Sequence, residues 1–156
     1  MVAVVQIVER ASVRADGEIS GEIGRGLYVL LGVRAGDTEA DAEALAAKIV
    51  NLRIFPDENG KMNLSVKDIS GDVLAVSNFT LLADYSHGNR PSYLGAAAPA
   101  PANSLYEKFT ACVSEFTGNV CQTGVFGADM KTDMVTAGPV TIIMDSEVLV
   151  KGGKRK

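Results

Sequence analysis

The sequence is poor in the residues that carry most side-chain catalysis. It has one histidine, His87, and two cysteines, Cys112 and Cys121, in 156 residues. Metal sites built on paired histidines are therefore excluded, and two cysteines make neither a disulfide framework nor a zinc site. Reduced thiols packed in a core, in a cytoplasmic setting, are the expectation for both. No apolar run approaches the ~20 residues of a membrane-spanning helix. The apolar start, Met1 to Val8, lacks a basic n-region and a small-residue cleavage site, so it reads as a strand and not as a signal peptide. Basic residues are not in excess either: 15 Lys and Arg stand against 19 Asp and Glu, a net charge of −4. A protein that grips long nucleic acid through phosphates needs a basic face. DNA is thus not an expected partner, while a pocket for the end of an RNA stays open. The carboxylates offer no paired acid and base: Asp57-Glu58 lies in a turn cluster, and Asp84 and Asp129 are isolated. Neither a metal nor a cofactor is expected.

What is present is enough apolar material for one folded domain, with 47% hydrophobic and 22% charged residues. Residues 1–150 read as that domain, and 151–156, Lys-Gly-Gly-Lys-Arg-Lys, as a basic flexible tail. Val2 to Val8 reads as a strand. Arg10 to Ala15 and Glu18 to Ile23 flank Asp16-Gly17, a two-residue hairpin signal. Leu27 to Val33 is a continuous apolar run, the mark of a buried strand. Thr38 with Asp41 makes a capping box for a helix carrying Leu45, Ile49 and Leu52 on one stripe. Val73 to Ala83 is a second apolar run, interrupted by Ser77, Asn78 and Thr80. Strict alternation puts Ser77 and Thr80 on opposite faces, so a shared site requires the strand to bulge or end there. Ala83 to Pro101 reads as a long loop. Ser104 with Glu107 suggests a second capping box, opening a helix with Leu105, Phe109, Val113 and Phe116 on one face and ending at Gly118-Asn119. Val120 to Phe126 reads as a strand, residues 127–130 as a turn, and Val140 to Met144 as the last strand. This order is that of an α+β domain.

The chemistry on offer is unusual. Gly138-Pro139 leads into the last apolar run. It is either a plain turn or a rigid wedge that presents bare backbone N–H and C=O groups to a ligand. Ser77 and Thr80 supply hydroxyls, and backbone N–H groups at a strand end can form an oxyanion hole without a charged side chain. Phe79, Phe126 and Met130 are pocket formers, or core. His87 could serve a Ser-His-Asp triad only from a loop, where a solvated role is the plainer reading.

These residues resemble the D-aminoacyl-tRNA deacylase family along nearly the whole chain. Ala11-Ser12-Val13, Leu30-Leu31-Gly32-Val33 and Gly60-Lys61-Met62-Asn63-Leu64 resemble its scaffold. Phe79-Thr80-Leu81, Arg90-Pro91-Ser92, Phe126-Gly127-Ala128-Asp129-Met130 and Gly138-Pro139-Val140-Thr141 resemble its functional parts. The resemblance implies a mixed, mostly antiparallel sheet forming a partial barrel with two main helices, in a homodimer. It implies hydrolysis of the ester between a D-amino acid, or glycine, and the terminal adenosine of tRNA, without a cofactor. Gly138-Pro139 would be a Gly-cisPro motif entering the partner's pocket, where an L side chain would clash. Ser77, Asn78, Phe79 and Thr80 would form the catalytic wall, and Phe126, Ala128 and Met130 the adenosine site. Either Thr80 or the 2′-hydroxyl of the tRNA would drive hydrolysis, the latter favoured where no base stands nearby.

The departures from that pattern cluster near the site. Family Ser-Gln-x-Thr is Ser77-Asn78-Phe79-Thr80, and Asn-Asp-Gly-Pro is Thr136-Ala137-Gly138-Pro139. Gln-Arg-Val is Gln6-Ile7-Val8, which loses an arginine expected to brace the Gly-Pro loop, and Gly-Arg-Phe is Gly124-Val125-Phe126. An apolar side chain cannot replace a guanidinium's hydrogen bonds. The competing expectation is therefore a catalytically impaired homologue that binds the aminoacyl-adenosine end of RNA without turnover.

Overall fold

The fold is organised on one long strand, β1 (Val2–Ala15), which is paired along both edges. On one edge its first half meets β3 (Gly26–Gly32) and its second half meets β2 (Glu18–Ile23), both antiparallel. On the other edge it meets β8 (Met130–Asp145), antiparallel from Val2↔Asp145 to Ala15↔Met130. β6 (Asp72–Ser77) adds parallel to β3, and β7 (Gln122–Thr123) adds parallel to β6. The small pair β4 (Phe55–Pro56) and β5 (Met62–Leu64) stands apart. The helices are α1 (Glu39–Val50), α2 (Pro99–Thr117) and the short α3 (Ser146–Val150). This computed structural model describes residues 1–150. The basic tail expected at 151–156 lies outside the described residues.

β3 shows why its sequence is apolar at every position. Leu27, Val29 and Leu31 face a core shared with Leu45 and Ile49 of α1 and Phe109 and Val113 of α2. Tyr28, with half-buried Leu30 beside it, faces a second core with Val8, Val13, Leu74 and Val76. A strand covered on both faces has no polar side to show. The second core lies inside a sheet that curls almost to closure. At its seam β2 approaches β7 so closely that a Cβ on Gly21 would sit 2.5 Å from the Thr123 carbonyl oxygen. Only glycine permits that approach.

The predicted hairpin, the buried strand and the first capping box all form. Asp41 accepts the Thr38 N–H at 2.9 Å and, through its other oxygen, the Ser146 hydroxyl at 2.8 Å, tying α1 to α3. Other boundaries move. The Ser104–Glu107 capping box does not form. α2 begins six residues earlier, with Ala98 as N-cap and Pro99 at its first position, where a fixed φ and a missing N–H cost nothing. Glu107 instead accepts from Asn103 within the helix at 2.9 Å. The strand expected over 120–126 shrinks to two residues, because the chain turns away after Thr123 to form a cavity wall. The last strand begins at Met130 and not at Val140. Its first half is exposed and carries Lys131, Thr132 and Asp133, so it lacks the apolar signature that a buried strand shows.

Candidate functional site

β6 stops at Ser77, and residues Phe79–Leu82 form a single 3-10 turn. The end of the strand thus brings Ser77 and Thr80 to one place, which alternation along a continued strand could not do. Asn78 sits between strand and turn, anchored by its N–H to the Leu31 carbonyl at 2.8 Å. Its side-chain oxygen caps the turn, accepting the Thr80 N–H at 3.1 Å and also the Thr80 hydroxyl. Ser, Asn and Asp side chains often spend their acceptors on nearby backbone in this way.

This turn forms one wall of a cavity of about 700 Å³. The opposite wall is the 126–130 segment, with Phe126, Ala128 and Met130 half-buried. Leu31, Val33 and Tyr106 also line it, and Tyr93 faces Phe79 at the rim. The Phe79 and Tyr93 rings meet edge to face with centroids 5.1 Å apart, and Tyr106 and Phe126 are 6.0 Å apart. The Tyr106 hydroxyl donates to the Ala75 carbonyl at 2.8 Å, and burial pushes its pKa up. Nearby Cys121 is buried and free, its thiol pushed up to about 12 by burial, so it is no nucleophile. Cys112 is likewise free and buried. The chamber is thus mostly apolar, with hydroxyl, amide and backbone groups gathered at one end, a composition suited to a small organic ligand.

Gly138 and Pro139 lie elsewhere. In the β1–β8 ladder Gln6 pairs with Thr141 and Val8 with Thr136, so four residues, 137–140, face the single residue Ile7. The Gly-Pro pair is therefore a wide bulge inside a strand, and neither a turn nor a strand start. Its peptide bond is cis and Gly138 has φ 111°, a conformation closed to most residues. Both residues are exposed. Gly138 lines a separate groove of about 230 Å³ with Ile7, Ala137 and Val140 at its base and Arg25 beside it. The Arg25 guanidinium lies 5.9 Å from the Phe55 ring centroid. Ile7 is buried, and Ala137 and Val140 pack against the same core, so apolar contact supports the bulge.

Seven of the nine residues singled out from sequence therefore share the cavity: Ser77, Asn78, Phe79, Thr80, Phe126, Ala128 and Met130. Gly138 and Pro139 do not join them within one chain. Tyr93 and Tyr106 were missed. Tyr106 precedes Phe109 by one helical turn and could have been read as part of its face; Tyr93 sits in a loop without periodicity. His87 is exposed and outside the cavity walls. Its Nδ1 is 2.8 Å from the hydroxyl of Ser86, whose N–H binds Asp84. Among the described residues no group of acidic, cysteine or histidine side chains is placed to hold a metal, and no helix is long and apolar enough to cross a membrane.

A nearly closed α+β barrel with a chamber at a broken strand end defines the class to which comparison can be made. Residues 4–145 match the family described as D-Tyr-tRNA(Tyr) deacylase. The chain belongs to that family. It is 57% identical over 146 residues to a D-aminoacyl-tRNA deacylase of Dehalococcoides mccartyi, covering 94% of this chain and 95% of the relative. It is 56% identical over 147 residues to the D-aminoacyl-tRNA deacylase of Koribacter versatilis, covering 94% and 98%. Among solved structures it superposes on a c-Myc DNA unwinding element binding protein with TM-score 0.86 at 40% identity, covering 93% of this chain and 98% of that one. A probable eukaryotic D-amino acid tRNA deacylase shares the fold, with TM-score 0.80 at 16% identity over 92% and 97% of the two chains.

Proposed function

We propose that the cavity holds the D-aminoacyl end of a charged tRNA and that the bulge of a partner copy closes it. The chain is a D-aminoacyl-tRNA deacylase, a hydrolase of the aminoacyl-tRNA ester. The observation that carries the finer reading is the separation of the site's two halves. The chamber with Ser77–Thr80 and the exposed Gly138-Pro139 bulge occupy different grooves of the same chain. A second copy related by two-fold symmetry can bring each bulge to the other's chamber, since an isologous contact places each residue reciprocally. The face of β8 that carries exposed Met134 and Val135 suits such a contact.

In that arrangement Phe126 and Met130 flank the adenine, and the ester carbonyl lies against the 3-10 turn. The Thr80 N–H is already taken by Asn78, so the Phe79 N–H is the amide of the turn left to polarise the carbonyl. Bulge carbonyls receive the α-ammonium group. The wedge then occupies the space an L side chain would need, and selection is by exclusion. Glycine, with no side chain to exclude, passes the same filter, and glycyl-tRNA(Ala) is an expected second substrate. No base stands beside Thr80 Oγ, so water assisted by the substrate's 2′-hydroxyl is the favoured nucleophile. The setting is cytoplasmic.

Matched D- and L-aminoacyl-tRNA test this directly. Release of the D-amino acid alone supports the reading. If the D-substrate is bound and not cleaved by stoichiometric protein, the reading falls to a binding homologue without turnover. The trans contribution is tested by mixing a Thr80→Val chain with a Gly138→Ala chain. The re-associated equimolar mixture should recover about a quarter of the wild-type sites, because random pairing makes half of the dimers heterodimers with one intact site each. No recovery, with dimers formed, would put the wedge and the chamber in the same chain.

A further inference from the structure

The direction of one hydrogen bond assigns Thr80 a role. The Asn78 side-chain oxygen is an acceptor only, so the bond between it and Thr80 Oγ must use the Thr80 hydroxyl proton. The same oxygen holds the Thr80 N–H at 3.1 Å, and the Asn78 backbone is fixed on Leu31. Two bonds to one oxygen close a tight ring at the start of the turn and set where Thr80 Oγ points. With its proton committed, Thr80 Oγ has only lone pairs left to offer the cavity it lines. An amide oxygen cannot take the proton away, so the arrangement does not make an alkoxide.

We propose that Asn78 is a positioning residue that turns Thr80 into a fixed acceptor, which takes a hydrogen bond from an O–H donor of the reacting system. That donor is either the ribose hydroxyl beside the ester or the attacking water. The inference rests on the deacylase reading of the cavity and adds to it the polarity of one side chain. A glutamine at 78 has one more methylene and would not close the same ring, so the shorter side chain is what commits Thr80 here.

The test compares variants by kcat and KM separately on D-aminoacyl-tRNA. Asn78→Ala and Thr80→Val should each lower kcat/KM about 10-fold, through KM where the ribose hydroxyl of the bound substrate is the donor and through kcat where the attacking water is. The double variant should be no worse than Thr80→Val alone, because Asn78 acts through Thr80. Thr80→Ser keeps the hydroxyl and should retain activity. Asn78→Asp keeps an acceptor when ionised, so it should work at neutral pH and gain an acid limb that the wild type lacks. Binding of a 3′-amide analogue of D-aminoacyl-adenosine, with and without its 2′-hydroxyl, separates the donors. If the ribose hydroxyl is the donor, deleting it weakens binding about 10-fold in wild type and hardly at all in Asn78→Ala. If water is the donor, the deletion costs the same in both proteins and the Asn78 effect stays in kcat. Additive losses in the double variant, or a kcat/KM within about 2-fold of wild type in Asn78→Ala or Thr80→Val, would overturn the proposal. Should the wild type bind the analogue in an Asn78-dependent way yet cleave no D-aminoacyl-tRNA, the deacylase reading falls and the acceptor role of Thr80 stands.

Discussion

The Thr80 turn and the Gly138-Pro139 bulge are both interruptions of a strand, and they are held in opposite ways. The turn is held by polar bonds: Asn78 binds Leu31 through its backbone and Thr80 through its side chain. The bulge is held by packing, over buried Ile7 and half-buried Ala137 and Val140. A hydrogen-bonded turn fixes the direction of individual atoms, which suits the part of a site that must orient an ester. A packed bulge fixes a shape, which suits a part that excludes. A shape can be supported from below by apolar contact, whereas a bond direction cannot.

The largest effect should come from Gly138→Ala. At φ 111° the new Cβ would sit 2.7 Å from a Val140 methyl and 2.8 Å from the Val140 nitrogen. The bulge must reshape, and kcat/KM should fall about 100-fold. Because the residue is exposed, the melting temperature should move little. A large melting shift with activity retained would mean the bulge serves stability and not the site. Next, Phe126→Ala removes one wall of the chamber and should raise KM about 10-fold, the scale of one lost stacking partner. An unchanged KM for tRNA would remove the adenine from that wall.

A change outside both regions sharpens the contrast. Arg34 grips Asp145 with two bonds, at 2.8 and 2.6 Å. The Arg34 hydrogen bond holds the Asp145 carboxyl below its ordinary value. A carboxylate with a depressed folded pKa contributes stability that is present above the unfolded value and lost as pH falls through the folded one. Asp145→Asn should therefore cost about 1 kcal/mol at neutral pH, screened because the pair is partly open to solvent. It should flatten the acid side of the stability profile below about pH 4, with kcat and KM unchanged, as followed by urea melts across pH. The smallest effect belongs to Tyr106→Phe. The Ala75 carbonyl keeps the Gly124 N–H at 3.4 Å, so the loss should be about 0.5–1 kcal/mol, read as a small shift in urea midpoint.

The scaffold was legible wherever burial is two-sided or a turn is chemically forced. β3, the Asp16-Gly17 hairpin and the Thr38–Asp41 box lie where the residues indicated, because each rests on local pattern or local bonds. α2 began early because Pro99 suits a helix start as well as a loop, and Ser104 could not show that the turn before it was already helical. β8 was half hidden because an exposed edge strand keeps its polar residues and loses its alternation. Among the site residues, Ser77, Asn78, Phe79 and Thr80 were legible as a group, since polar residues in an apolar run require partners. Tyr93 carried no such signal.

By itself the sequence determined the family, the apolar cores and the residues of the chamber wall, because these follow from composition, periodicity and motif. Tertiary structure alone decided three things. It ended β6 at Ser77, so that two hydroxyls on opposite faces came together. It turned the Asn78 side chain onto Thr80, which depends on a backbone path that residue types do not state. And it kept Gly138-Pro139 in a different groove from Thr80, because one chain's β8 cannot reach across its own barrel while it remains paired with β1 on both sides of the bulge.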